Sequence, residues 1–298
     1  MAKQTMNETA APTRKKKSMG VATGRRIGNT FVYAVLIIMT VVWLFPFFGI
    51  VLESLRVEIP QQVSYLWPKK FGFDNYINLF TKTDFMRWFI NTGIMGIATA
   101  IFQVFFVLSV SYALSRMRFK GRQGLMNIML ILGMFPGFLT MILIYKVFAE
   151  AGLTMKMAPV GLVIVYCASS GMGYYVAKGF FDTIPKALDE AAIIDGATRW
   201  QIFTKITIPL SKPIAIYTLL TTFLGVWSDY IFPSMLFGDN QKLYTVAIGL
   251  KWMTDARRVD YYYTQFAAGA LLVALPIVLL FISLQKYYVE GLSGSVKG

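Results

Sequence analysis

Between Arg26 and Glu53 the chain carries no charged residue, and a helix needs about 20 such residues to cross the hydrocarbon of a bilayer. Four further gaps have the same character: Trp88 to Ser115, Gln123 to Tyr145, Met157 to Ala177 and Tyr261 to Gln285. A sixth stretch, Pro213 to Gly238, is long enough to span but contains Asp229. Backbone groups find no water to bond inside lipid, so runs of this length close their hydrogen bonds as helices; the short alternating strands of a membrane barrel look different. The sequence therefore predicts an all-α integral membrane protein with six transmembrane helices. The first run is too long for a signal-peptide core and shows no small-x-small cleavage site, so it reads as a retained helix. The expected organisation is a basic tail at 1–26, a six-helix domain at 27–288 and a short tail at 289–298. The spans are placed near 27–52, 88–115, 123–145, 157–177, 213–238 and 261–287.

Composition narrows the chemistry. The 298 residues are 56% hydrophobic and only 15% charged, with no histidine and one cysteine, Cys167. That removes His-based triads, His-metal sites, intrachain disulfides and cysteine-ligated zinc. A net charge of +14 would suit nucleic acid, but its location says otherwise. Lys3, Arg14, Lys15, Lys16, Lys17, Arg25 and Arg26 precede the first span, and Arg116, Arg118, Lys120 and Arg122 fill the second loop without an acid. Six alternating spans put both segments on one side, which the positive-inside rule makes cytoplasmic, together with the loop 178–212 and the C-terminus. These segments hold 18 of the 29 basic residues and 6 of the 15 acidic ones. The excess is a topology signal and predicts no nucleic-acid partner. The run Arg14 to Lys17 is either a solvated tail or a contact with anionic membrane lipid, worth about 1 kcal/mol per charge near the surface.

The loop 178–212, between the fourth and fifth spans, has its own helical grammar. Pro185 suits a first helical turn, good helix formers follow through Ile194, and Gly196 breaks the run. Thr198 and Gln201 have the spacing of a capping box that opens a second short helix, expected to stop before Pro209. Large apolar side chains here (Trp200, Phe203, Ile206) either pack back on the ends of the spans or dock into a soluble partner.

Glu190-Ala191-Ala192, then Gly196, then Ile206-x-Ile208-Pro209 resembles the EAA signature of permease subunits in bacterial ATP-binding-cassette importers. Ile208 stands where that pattern usually has leucine. The resemblance implies the type I importer permease fold, with Glu190, Ala191, Ala192, Gly196, Ile206, Ile208 and Pro209 forming a coupling loop that docks on separate ATPase subunits. It also implies the partners: a homologous second permease, two cytoplasmic ATPase subunits carrying ATP and Mg, and an extracellular or periplasmic solute-binding protein. No cofactor is expected on this chain, which has no Gly-x-x-x-x-Gly-Lys-Ser/Thr phosphate loop and is expected not to be an enzyme.

Within the family the chain looks most like the smaller permease subunit of the maltose and oligosaccharide branch. Trp227-Ser228-Asp229-Tyr230-Ile231-Phe232-Pro233 resembles the branch's Trp-Asn-x-x-x-x-Pro stretch, with Ser228 in place of Asn, and the chain ends similarly, from Glu290 to Gly298. By resemblance, Gly291 to Gly298 reach between the ATPase subunits, and Thr254, Asp255, Ala256, Arg257, Arg258 and Val259 lie near the tip of the last outer loop, 239–260, which meets the binding protein; a polar connector is the alternative. A carboxylate at mid-helix costs about 2.5 to 3.5 kcal/mol on insertion, so Asp229 should face protein or water. Two readings stand for it: lining the translocation path, with Trp227 or Tyr230 offering a ring to a sugar, or bracing a broken helix before Pro233 as a gate.

The expected activity is import of a carbohydrate, maltodextrin-like or another oligosaccharide, across the bacterial cytoplasmic membrane. Rival classes are a non-sugar importer, an ion-coupled carrier and a membrane enzyme. A carrier should show several intramembrane charges and inverted repeats, whereas Asp229 stands nearly by itself. An enzyme should show a catalytic constellation, for which the residue inventory offers little material.

Overall fold

The structure, a computed structural model, describes residues 21–58, 65–152, 157–168 and 171–296, with side chains described from 29 to 286 within those ranges. Residues 1–20 of the expected basic tail and 297–298 of the C-terminal tail lie outside the described residues, and the side chains of 287–296 do as well. The chain divides into two compact units, Met1–Gly49 and Ile50–Gly298. The first contributes most of helix α1 (Val21–Ser54), which tolerates Pro46 in its interior.

The second unit is a bundle built around α3 (Phe85–Arg116), a 32-residue helix that follows the short α2 (Asp74–Lys82). The helices α4 (Arg122–Met134) and α5 (Gly137–Glu150) come next, then α6 (Ala158–Ala168) and α7 (Gly171–Thr183). After two short helices, α8 (Lys186–Ile194) and α9 (Arg199–Ile202), the chain continues through a π-helical stretch, Phe203–Thr207, into α10 (Ile208–Leu210). The last elements are α11 (Lys212–Ser228), α12 (Ile231–Phe237), α13 (Val246–Met253) and α14 (Val259–Val296).

Among the described residues, three helices are long and apolar enough to cross a membrane, within α1, α3 and α14; taking each of three bent pairs as one span (α4 with α5, α6 with α7, and Arg199–Leu210 with α11) gives up to six. The expected span 123–145 is not straight. It turns by 99° between α4 and α5, because Pro136 has no N–H for the carbonyl one turn back and forces Phe135 into an extended conformation. The expected span 213–238 breaks at Asp229–Tyr230 into α11 and α12. The expected 289–298 tail does not begin at a helix end either, since α14 continues through Val296.

Two clusters of buried side chains hold the second unit together. One gathers Leu79, Phe85, Trp88, Phe223, Trp227 and Met253 with their neighbours near the start of α3; the other gathers Val107, Leu108, Phe181, Phe203 and Ile214 near its end. α3 thus connects a region around α13 with a region around α8.

Candidate functional site: the α8 surface and the break at Asp229

α8 begins after Pro185, whose fixed φ of −57° suits the entry to a helix. It ends in a Schellman motif: Gly196 N–H donates to the Ile193 carbonyl (3.0 Å) and Ala197 N–H to the Ala192 carbonyl (2.9 Å). Gly196 takes a φ of +81°, a left-handed conformation that costs a side-chain-bearing residue about 1–2 kcal/mol. Thr198 and Gln201 then close the capping box, with Thr198 N–H donating to Gln201 Oε1 (2.8 Å) and Gln201 N–H to Thr198 Oγ1 (3.3 Å). The second helix does not stop before Pro209. It widens into the π-helical stretch, which makes room upstream of a residue that has no N–H and would crowd the carbonyl four residues earlier.

The residues of the EAA pattern separate into two groups. Glu190, Ala191 and Gly196 are exposed and Ala192 is half-buried, so this segment faces away from its own bundle. Ile194 is 86% exposed, with Ile193 and Leu188 open beside it. Ile206 and Ile208 are half-buried, Ile208 against the cluster around Phe181, while Pro209 is exposed. The isoleucines therefore fix the loop to the spans, and the Glu190 side of α8 presents the free surface. The three large side chains left open by sequence divide as well: Phe203 is buried against Tyr112 (ring centroids 4.8 Å apart), Ile206 is half-buried and Trp200 is exposed.

α8 is held by charge. Asp189 Oδ2 lies 3.3 Å from Arg116 Nε at the end of α3, and the Arg116 guanidinium also donates to the carbonyls of Phe181 (3.0 Å) and Ile184 (2.7 Å). Ser115 donates to Asp182 (2.6 Å), which also pairs with Lys178. Burial pushes the Asp182 carboxyl up, but the bonds from Lys178 and Ser115 outweigh it and hold it below its ordinary value. Sequence reasoning missed this set; Arg116 looked like one of several topology charges, and its partners lie more than 60 residues away.

At the break, α11 ends with Asp229 N–H donating to the Gly225 carbonyl (3.1 Å). The Asp229 carboxylate accepts from Ile231 N–H (2.9 Å) and, with its second oxygen, from the Tyr166 hydroxyl of α6. It opens α12, where Pro233 sits in the first turn and needs no N–H partner. Trp227 does not line a path. It is 3% exposed, stacks on Phe223 (5.0 Å), meets Phe89 edge-on (5.3 Å) and donates Nε1–H to the Val273 carbonyl (3.1 Å), so neither ring face is free. Tyr230 keeps an exposed side.

The expected loop 239–260 is largely a packed element. α13 buries Val246, Ile248, Gly249 and Met253, and Gly249 leaves no room for a Cβ against the Trp88 indole. The tip folds on itself: Arg258 donates to Asp255 (2.9 Å) and lies 4.3 Å over the Trp252 ring. Asp255, Ala256 and Arg257 are exposed, whereas Thr254, Arg258 and Val259 are half-buried.

The second unit is thus a bundle of membrane-length helices that carries an open helix, α8, tethered by charge beside the end of α3. Residues 106–293 match the family described as binding-protein-dependent transport system inner membrane component. The chain is 33% identical over 278 residues to the maltodextrin transport system permease protein MalD of Streptococcus pneumoniae, covering 92% of this chain and 97% of MalD. It is 34% identical over 280 residues to the galactooligosaccharides transport system permease protein GanQ of Bacillus subtilis, with 92% and 97% covered. The fold matches a chain of a bacterial ATP-binding-cassette transporter involved in import of alginate, with a TM-score of 0.77 at 22% identity over 91% of this chain and all of that one. The chain belongs to this family: it is a multi-pass inner-membrane permease subunit of a binding-protein-dependent ATP-binding-cassette importer.

Proposed function

We propose that this permease imports an oligosaccharide and that α8 is the surface through which separate ATPase subunits drive it. The observation that carries the reading is the α8 face itself: Leu188, Ile193 and Ile194 stand exposed beside Glu190 on a helix with no buried residue. An apolar face of this kind on the water side is stabilised when a partner covers it. Glu190 offers a charge to a basic residue of that partner, and Ala191 and Ala192 allow close approach. The sugar class is supported by relatives named for maltodextrins and for galactooligosaccharides, two chemistries that share the oligosaccharide but not the linkage.

In this reading a homologous second permease completes the pathway, two ATPase subunits bind ATP and Mg, and a solute-binding protein delivers the sugar to the opposite face. Both termini lie in the cytoplasm, on the side of the α8 loop. Closure of the ATPase subunits on nucleotide carries α8 as a rigid body and reorients the spans. Asp229 and Tyr166 form a gate element at the α11–α12 break, with Tyr230 towards the path. The exposed tip Asp255, Ala256 and Arg257 contacts the binding protein.

The test is Glu190→Lys in the reconstituted complex. The variant is expected to insert normally, to release the ATPase subunits on purification and to lose ATP-dependent uptake of labelled oligosaccharides. Retained copurification with unchanged uptake would contradict the assignment.

A further inference from the structure

Arg116 is the last residue of α3, and its side chain is only 5% exposed. A buried guanidinium that serves topology alone would be wasteful, because desolvation costs it nearly all that its partners return. Its partners are drawn from two other segments: the carbonyls of Phe181 and Ile184 at the end of α7, and the Asp189 carboxylate in α8. Nη2 donates to both carbonyls while Nε faces the Asp189 carboxylate as an ion pair, so one planar guanidinium reaches both segments at once. Asp189 is one of two α8 residues that are not fully exposed, and it supplies the ion pair that ties α8 to α3.

The opposite end of α3 is anchored with equal care. Trp88 Nε1–H donates to the Gln241 carbonyl (3.0 Å), and the Asn91 amide donates to those of Lys242 (3.0 Å) and Tyr244 (3.1 Å). Thr92 Oγ1 accepts the first N–H of α13, from Val246 (2.8 Å). At a rise of about 1.5 Å per residue, the stretch of α3 from Trp88–Thr92 to Arg116 separates these two sets of polar anchors by about 36–42 Å. It also packs against α11, the helix that ends at Asp229. An unbroken helix fastened by directional bonds at each end transmits displacement better than a face of sliding apolar contacts.

We propose that Arg116 is a positioning residue for transport: through Asp189 it joins α8 to α3, so that displacement of α8 moves the rod instead of slipping past it. The inference rests on the reading of α8 as the ATPase-facing helix, and the experiment separates the two. The complete transporter is placed in lipid nanodiscs with Cys167→Ala as background and Tyr230→Cys as a reporter at the α11–α12 break, labelled by a maleimide with and without Mg-ATP and vanadate.

In the parent the labelling rate changes with nucleotide. In Arg116→Gln the ATPase subunits still copurify, but the nucleotide-dependent change at position 230 is lost. Asp189→Asn keeps the carbonyl bonds of Arg116 and removes only the ion pair, so it serves where Arg116→Gln folds poorly; the same loss is expected. The double variant should be no worse than either single one, because both break one joint. Arg116→Lys should restore part of the response, which a merely structural defect would not predict. A response preserved in Arg116→Gln and Asp189→Asn, with the ATPase subunits bound, would overturn the joint, as would a parent without any nucleotide response at position 230. Failure of the ATPase subunits to copurify with the parent would instead overturn the α8 reading.

Discussion

α8 and α13 are helices of nine and eight residues attached to opposite ends of α3, yet α8 buries none of its residues and α13 buries four. α13 is held by packing: Val246, Ile248 and Met253 enter the core, and Gly249 presses against Trp88. α8 is held at its edges by one ion pair, a Schellman turn and the capping box that follows. A helix this short is marginal in water without tertiary support, so the two elements show two ways of supplying it. Packing consumes the apolar face. Anchoring by charge and caps leaves that face exposed, as the proposed docking of ATPase subunits on α8 needs.

The contrast can be broken from the α13 side first. Gly249→Val drives a branched side chain into the Trp88 ring, and the expected loss is at or above the top of the range of about 1–3 kcal/mol for overpacked cores. A large fall in thermal stability of the purified subunit checks it. Ile194→Ser on α8 should do the reverse: stability unchanged, but affinity for the ATPase subunits lowered by about 1.5–3 kcal/mol, roughly ten- to a hundredfold, since a fully exposed isoleucine is covered only by docking. Titration of the ATPase subunits onto both permease forms measures the difference.

Smaller effects sharpen the account of the anchors. Gly196→Ala must hold a side chain at a φ of +81°, at a cost of about 1–2 kcal/mol. Its Cβ meets open space, so the loss should appear as faster amide exchange confined to the end of α8. Thr198→Ala removes one half of the capping box and should cost about 1 kcal/mol, read as fraying of α9 alone.

Much of the local structure of the loop 178–212 was legible in the sequence, because Pro185, Gly196 and the Thr198–Gln201 pair act locally on the backbone. The six apolar runs were legible for the same reason, since a span is decided by the residues within it. What failed were places where one residue overrides a hydrophobic average. Pro136 bends a run that looks uniform, and Asp229 with Pro233 restarts a helix inside another. The signal existed in the second case: an aspartate followed by a proline in the next turn is a helix start even inside an apolar stretch. The clamp at Arg116 had no such signal. Its positive charge fits the topology rule, and its partners Phe181, Ile184 and Asp189 come together only in the folded bundle. α13 was hidden by a neighbourhood of charged residues that made 239–260 look like a loop.

The central claim is that the open side of α8 is where the ATPase subunits bind. Ala191→Cys in the Cys167→Ala background places a single thiol on that side, and its labelling by a maleimide can be followed with and without the ATPase subunits. Fast labelling in the permease pair and strong protection in the full complex are predicted. Equal labelling in the two states would contradict the claim.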